Sequence, residues 1–519
     1  MVSAFHEEIS AALGTTAVQK LKSGALIQKV AKAHSTGHAG STGNILASAG
    51  LAANVTISQV TLGDNFAHHC IKPADYLRGL AAQNKLCNLT GGDPFRETLL
   101  SFWDTYHRMD PDHPALADGV AACELSVPIL LFGDEGRALK KQAAMVLGWE
   151  PLLGYGCMNG CDADPEAHRG HKLNFSGSTY KTRMLHSILH KRCYGKKQKH
   201  LLDLIHIWAA DHEEAMDGID AHLEGRSVVL KLVPMGLKGD WPAEVKLCQL
   251  ERSFYHDATP FGKGICHLCM ANTSECHDWT TRAWENTMKE TFRPPWDTEP
   301  ALVNKLCSGF STDWDKAAFC KLDLFHICHK GTMAELAGSG LVTLLDMGLY
   351  PPGAFEARTW FKGADTTVAI KFLVHILQEK GVGPDSDEIL QCLLKCCKAA
   401  NRFFSLLYHQ ELWLPVRVAR LVSKAGGEYI NRYKQLANVA YGRNLTRYLL
   451  TPKLHLLMHC IHSLDTQISN GVIMNPLVDS CQMCEDFINK IATLGRSVHA
   501  RKFDESTLKK YLISVQRYW

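Results

Sequence analysis

Apolar and polar positions follow several different periods along this chain, and the changes of period divide it. Residues 1–60 are rich in Ala, Gly, Ser and Thr and hold no sustained apolar period, which predicts a poorly ordered segment or loose helix. Over 61–120, apolar residues at helical spacing such as Leu99, Phe102 and Tyr106, stopped by Asp-Pro turns, predict a helical lead-in. Strand-like runs follow. VPILLFG (127–133) is an apolar run ending in Asp134, AAMVLGWEP is a second, and KLNFSGSTYKTRMLHSIL holds a third. KQKHLLDLIHIWAADHEEAMDGIDAHLEG then places Leu201, Leu204, Ile205 and Trp208 on one helix face, with Gly225 as the stop. SVVLKLVPMGLKGDWPAEVKL reads as a fourth strand ending in a turn at Asp240.

From 261 to 464 the text turns rich in Cys, His and Trp and then mostly helical, as in DEILQCLLKCCKAANRFFSLLYHQELW and RVARLVSKAGGEYINRYKQLANVAY. Such a length exceeds any connecting loop of a compact domain, so an inserted domain is predicted. Residues 465–519 close the chain with DSCQMCEDFINKIATLGRSV, a helix with Cys484, Phe487, Ile488 and Ile491 on an apolar face and Glu485 beside it. Composition changes this picture little: 46% hydrophobic and 21% charged residues are ordinary for globular chains, and 519 residues suffice for two or three domains. A net charge of +3 is too small to argue for nucleic acid by itself. No run approaches the roughly 18 apolar residues of a membrane span, and the N-terminus lacks a basic stretch followed by an apolar core; the expectation is an intracellular protein without a membrane partner. Nineteen cysteines scattered over such a chain favour free thiols plus a metal site over a disulfide framework.

Three strands, a helix and a fourth strand is the order in which a ribonuclease-H-like α/β domain begins, and 121–260 is read as the first part of such a core, completed by 465–519. Asp134 ends the first strand, Asp240 follows the fourth, and Glu485 lies on the late helix. If the first and fourth strands are neighbours, the two aspartates emerge at the same sheet end, where a helix packed across it brings in the glutamate. Convergent carboxylates suit two magnesium (or manganese) ions about 4 Å apart, which activate a nucleophile on one side of a phosphodiester and stabilise the leaving oxygen on the other. A lone Asp after an apolar strand is more usually a turn or cap residue. Asp323 in KLDLFHICHKG is a rival third ligand, while Asp486, Asp504 and Glu505 read as solvated surface acids.

Cys266 and Cys269 form a Cys-x2-Cys on a turn, and His455 and His459 lie four apart on one helix face. Together they would make a closed, structural Cys2His2 zinc site tying the ends of the insertion together. Alternatively the histidines are ordinary core or surface residues and the cysteines small apolar groups. Cys276, His277, His326, Cys328, His329 and His462 are further ligand candidates. The basic segment HKRCYGKKQKH (190–200) could meet DNA phosphates or serve nuclear import, although a charge run is more often a solvated face.

Taken together, these motifs resemble the DDE transposases of the CACTA class and their relatives, including the recombinase of vertebrate antigen-receptor rearrangement. In that group the insertion between the second Asp and the Glu carries Cys-x2-Cys and, later, a spaced His pair. Asp134, Asp240, Cys266, Cys269, His455, His459 and Glu485 stand in that order here. KLDLFHICHKGTM looks like the Leu-Asp-x-x-His stretch of CACTA-type transposases, CEDFINKIATLGRSVHARKFDESTLKKYL is similar to their segment around and beyond the Glu, and GDWPAEVKLCQL followed by GICHLC is similar to transposon-like reading frames of dinoflagellate algae. The resemblance covers roughly residues 95–515. It implies a nuclear DNA transposase, or a domesticated descendant, that cleaves and transfers DNA strands as a dimer or larger assembly on transposon ends. Two rival readings are a catalytically inactive DNA-binding or scaffold protein that keeps the fold and a simple ribonuclease-H-like nuclease. The resemblance does not extend to an N-terminal end-recognition domain.

Overall fold

The computed structural model describes residues 22–35, 42–160, 170–195, 199–223, 225–257, 259, 262–289, 291–349 and 363–519. The architecture is mixed α/β. A five-stranded sheet is built from β3 (Ser126–Arg137), β4 (Ala143–Pro151), β5 (Met184–His190), β6 (Ile219–Leu223) and β7 (Arg226–Lys238), in the spatial order β5-β4-β3-β7-β6. Only β3 and β7 run parallel; the other neighbours are antiparallel. Central placement explains the composition of β3, whose first eight residues are all buried because both faces are covered.

Three features depart from the sequence expectations. The helix Lys199–Asp217 buries Leu201, Leu204, Ile205 and Trp208 as its period predicts, but it stops at Gly218, and the next residues form strand β6. Gly225 therefore sits in the β6–β7 hairpin turn, where its φ of +76° is one that glycine adopts freely. The lead-in is not purely helical, since β1 (Ser58–Leu62) and β2 (Phe66–Cys70) pair as an antiparallel hairpin before the helices Pro73–Ala82 and Phe95–Met109. Within the third predicted strand, only the last part, β5, joins the sheet, and a one-turn helix at Thr179–Thr182 precedes it. Of residues 1–60, 22–35 and 42–48 are helical, and 1–21 and 36–41 lie outside the described residues.

The region 261–464 supplies the long helices Met333–Asp346, Gly363–Glu379, Glu388–Tyr408, Val416–Gly442 and Pro452–Asn470. Their buried residues and those of the sheet belong to one continuous apolar cluster. No described helix is long and apolar enough to cross a membrane. Late in the chain, helix Gln482–Arg496 buries Cys484, Phe487, Ile488 and Ile491, the face read from its period, against β3. Gly136 permits that approach: a Cβ there would lie 2.7 Å from Ala492 Cβ and 3.1 Å from Ile488 Cγ2. Gly136→Ala is expected to destabilise the protein by about 1–3 kcal/mol through this overpacking, measured by denaturant unfolding; an unchanged midpoint would show that the helix can withdraw freely.

Candidate functional site

The parallel register of β3 on β7 ends with Phe132 opposite Lys238. Asp134 and Asp240 each lie two residues beyond that last pair, so the two aspartates sit at the same level past the end of the β3–β7 pairing. Asp134 does not end its strand: β3 continues to Arg137, and Asp134 pairs with Val146 of β4. The reason is that β4 is long enough to hold β3 after β7 has turned away. Asp240 also does the ordinary work of an N-cap, its Oδ1 accepting from Ala243 N at 2.7 Å to start helix Trp241–Leu247.

Electrostatics join these two to Glu485. Burial, then the charges of Asp240 and Glu485, push the Asp134 carboxyl up to about 7. Glu485 Oε1 lies 3.1 Å from His326 Nε2 and 3.1 Å from Lys330 Nζ. Burial alone would raise Glu485, but the His326 hydrogen bond and the Lys330 charge outweigh it and hold the carboxyl below its ordinary value. Asp323 stands behind His326. One of its oxygens accepts from Phe325 N and Cys481 N, both at 2.8 Å, and the other meets His326 Nδ1. Burial would lower His326, yet the Asp323 charge and hydrogen bond raise it to about 9, so an imidazolium faces Glu485. Asp323 thus spends its oxygens on backbone and on His326, which makes it a positioning group.

A buried ion cluster sets the start of the Glu485 helix. Glu150 of β4 pairs with both Arg183 and Lys238, all three almost fully buried. Lys238 Nζ also donates to Val478 O and Ser480 O, each at 3.0 Å, pinning the segment that enters helix Gln482–Arg496. Nothing in the sequence pattern marked Lys238, Glu150 or Arg183 for this task, and His326 was read there only as a spare zinc ligand. A cavity of about 950 Å³ opens beside Asp240, with Lys321, His326, Lys330, Arg447 and Lys453 on its walls. The ligand oxygens of Asp134, Asp240 and Glu485 are not among the described donor sets that close to within 4.8 Å of one another.

Asp134 gives a pH-dependent expectation. Its folded pKa lies above the unfolded carboxylate value, so its contribution to stability is fully present at low pH and is lost as pH rises through about 7. Asp134→Asn removes that loss. In chelator at pH 8 the variant should be more stable than the parent by about 2 kcal/mol, and the difference should vanish near pH 4. Equal stability at both pH values would mean that neither burial nor the neighbouring carboxylates raise Asp134.

The second candidate centre is tighter. Cys266, Cys269, His455 and His459 are all buried, with their ligand atoms mutually within 4.8 Å. Cys269 Sγ lies 3.2 Å from His455 Nε2 and 3.3 Å from His459 Nε2, Cys266 Sγ lies 3.5 Å from His459 Nε2, and the two Nε2 atoms are 3.2 Å apart. A tetrahedral zinc with bonds of about 2.0–2.3 Å requires ligand separations of roughly 3.3–3.8 Å, which these match closely. Supporting groups are in place. His455 Nδ1 meets Trp279 O at 3.2 Å, and Leu268 N donates to Cys266 Sγ at 3.3 Å. Arg252 donates to Cys266 O and His267 O and so braces the cysteine turn. Burial would raise the Cys266 thiol, but the Cys269 hydrogen bond and the His459 charge outweigh it and hold the thiol well below its usual value. The four residues are compatible with a structural zinc.

The other Cys and His candidates sit elsewhere. His329 meets Tyr408 Oη at 3.0 Å, His462 lies 3.5 Å from Glu285, and Cys276 donates to Asp278 O. Burial pushes the Cys328 thiol up to about 12. Among the acids, Asp486 does pair at the surface with Lys490, and Glu505 with Lys509. Asp504 differs: its Oδ2 lies 2.9 Å from His69 Nδ1 and 3.3 Å from the buried His68 Nδ1, because the last helix, Phe503–Val515, packs on β2. In the basic segment 190–200, Lys191 pairs with Glu135 and Arg192 Nε donates to Gln142, while 196–198 lie outside the described residues. No family model matches the chain, and no curated protein matches it.

Proposed function

We propose that this chain is a DDE transposase of the CACTA-like group, or a descendant of one, with a ribonuclease-H-like core that cleaves DNA and transfers the resulting 3′-hydroxyl. One observation carries the reading: Asp134 and Asp240 sit level beyond a parallel strand pair, and Glu485, from a helix packed on the same strand, acts on Asp134 electrostatically. The spatial order of the sheet, with its first long strand central and parallel to the last, supports the ribonuclease-H-like assignment. So does the chain order of the carboxylates, cysteine pair and histidine pair.

In this reading Asp134, Asp240 and Glu485 hold two magnesium or manganese ions, which when bound supply nucleophile activation and leaving-oxygen stabilisation. The chain's own part is to place the phosphodiester. Lys321, Lys330, Arg447 and Lys453 line the cavity at Asp240 together with Glu244, Asp323 and Glu335, and although Lys330 pairs with Glu485 and Arg447 with Asp346, the four cations suit the phosphates of a DNA strand. For three oxygens to share an ion, Glu485 must leave its two cations and rotate toward Asp134, a motion its helix position allows by rotamer choice. The same reading assigns a nuclear location and a dimer or larger assembly on transposon ends. Calorimetric titration with Mn²⁺, together with cleavage of duplex DNA in Mg²⁺ or Mn²⁺, tests it. Saturable binding and cleavage that both disappear in Asp240→Asn are expected; a chain that neither binds Mn²⁺ nor cuts DNA would sink the enzymatic reading.

A specific observation favours a second reading, that of a catalytically inactive descendant acting as a DNA-binding or scaffold protein. His326 and Lys330 already neutralise Glu485 and compete with a metal for it. DNA binding without Mn²⁺ binding would select this alternative.

A further inference from the structure

On the far edge of the sheet a second group of donors comes together with no sequence motif to announce it. Cys70 ends β2, His186 lies on β5, and Asp211 lies on helix Lys199–Asp217. All three are buried, and one ligand atom from each falls within 4.8 Å of the others. We propose that Cys70, His186 and Asp211 form a second site for a zinc-class transition metal, clasping the β1–β2 hairpin and the helix to the edge strand.

Two of the donors already face each other, and His186 Nδ1 is buried with no hydrogen-bond partner. Asp211 Oδ2 lies 2.9 Å from His186 Nε2, a little shorter than the roughly 3.2 Å expected for two such ligands on one tetrahedral ion. The other oxygen, Oδ1, is held by Lys72 Nζ at 3.1 Å, so the carboxylate is oriented from behind and offers a single oxygen forward. The backbone fixes the third donor, because Ile71 N donates to His186 O at 2.8 Å and brings Cys70 beside the histidine. A neighbouring imidazole, His212, is prepared for the fourth position. Its Nδ1 is committed to Trp208 O at 2.9 Å, which leaves the lone pair on Nε2, and that atom is buried with no hydrogen-bond partner. A ring that gives one nitrogen to a carbonyl and keeps a bare second nitrogen is the usual state of a metal-ligating histidine. His212 lies outside the set of three donors that close to within 4.8 Å, its ring centroid 6.3 Å from that of His186, so to serve as the fourth ligand it would have to move inward or bind through a water.

A mixed sulfur, nitrogen and oxygen set suits zinc and its neighbours and does not suit magnesium. Binding is a proton exchange. The Cys70 thiol, which burial raises to about 12 in the absence of an ion, gives its proton to solvent as the sulfur–metal bond forms, the proton that His186 Nε2 directs at Asp211 Oδ2 moves to the other ring nitrogen, Nδ1, and no electron is transferred. Without a metal, the same residues would be a Lys72–Asp211–His186 hydrogen-bonded chain with Cys70 as a small apolar neighbour, so only metal content separates the two.

The test measures zinc per chain in full-length protein purified without chelator, with X-ray absorption on the same sample. Two zinc ions per chain are expected, with an average of fewer than two sulfur ligands each, since three thiolates would be shared between two ions. Cys70→Ser should remove one ion and Cys266→Ser the other. A single zinc per chain in the unmodified protein, or two that persist in a folded Cys70→Ser variant, would overturn the proposal. The unmodified protein's stoichiometry and sulfur count decide the matter even if Cys70→Ser fails to fold.

Discussion

On the proposed transposase reading, Glu485→Gln is expected to reduce metal-dependent DNA cleavage by about 1,000-fold or more while DNA binding is largely retained. The substitution keeps size and helix packing and removes only the charge. That charge now does two things: it raises Asp134 and it pairs with His326 and Lys330 at the mouth of the cavity. The Lys330 pair is partly screened by solvent, but His326 is largely buried, so losing its pair with Glu485 should cost some stability. Asp323→Asn is the instructive comparison. Asp323 touches His326 and the backbone at Cys481, so its loss should loosen the approach of Glu485 and let His326 titrate at lower pH, with an activity loss of about 10–100-fold. The pH profile separates the two roles, because Asp323→Asn should move the limb that belongs to His326 further than Glu485→Gln does, the Asp323 charge being the leading cause that raises His326 and the Glu485 hydrogen bond a lesser one. An active Glu485→Gln protein beside a dead Asp323→Asn protein would transfer the third-carboxylate role to Asp323 and would remove the main reason for aligning this chain with CACTA-type transposases through its last helices.

Removal of zinc from Cys266, Cys269, His455 and His459 should have the largest effect on stability. These residues join a cysteine turn at the start of the insertion to helix Pro452–Asn470 at its end, so one ion bound there would close a loop of nearly the whole insertion. Structural zinc sites contribute on the order of 10 kcal/mol to the folding of small zinc domains. Part of that is spread here over a larger packed core, and a Tm lower by about 10 °C or more is expected on chelation or in Cys269→Ser. The consequence should reach the carboxylates. Helix Pro452–Asn470 runs into β9 (Ile473–Met474), which pairs with β8 (Trp413–Leu414), and from there into the segment held by Lys238. Calorimetry with and without chelator checks the first effect, and Mn²⁺ titration of the zinc-free protein checks the second. Identical melting with and without zinc would show that the cluster is held by packing alone.

Much of this architecture was legible in the sequence because it rests on local periods. β4 and the helix Gln482–Arg496 run where their apolar spacing puts them, so does the buried face of the helix at 199–217, and 388–408 and 416–442 are helical as their text reads. The Cys-x2-Cys and the His pair are also local patterns, each rigid enough to aim two donors together, and that is why four residues could be named before any contact was known. Strand β6 was not legible. IDAHL is five residues long, follows a helix directly, and acquires its strand conformation from pairing with β7. For the same reason Asp134 lies inside a strand and not at its end: GDEGR has no strand period of its own and is held extended by β4.

What only the tertiary structure decided is how donors far apart in the chain face one another. His326 reads in the sequence as one more spare ligand, and packing sets it between Asp323 and Glu485. Lys238 reads as the polar end of a strand, and burial makes it the pin beneath the Glu485 helix. Cys70, His186 and Asp211 come from a hairpin, an edge strand and a helix, with no spacing rule connecting them, because their meeting depends on three elements docking and not on the period of any one. Element type and face follow from neighbours three or four residues away, which a sequence carries in plain view. Long-range register follows from the shape of the finished core, and that exists only once the chain has folded.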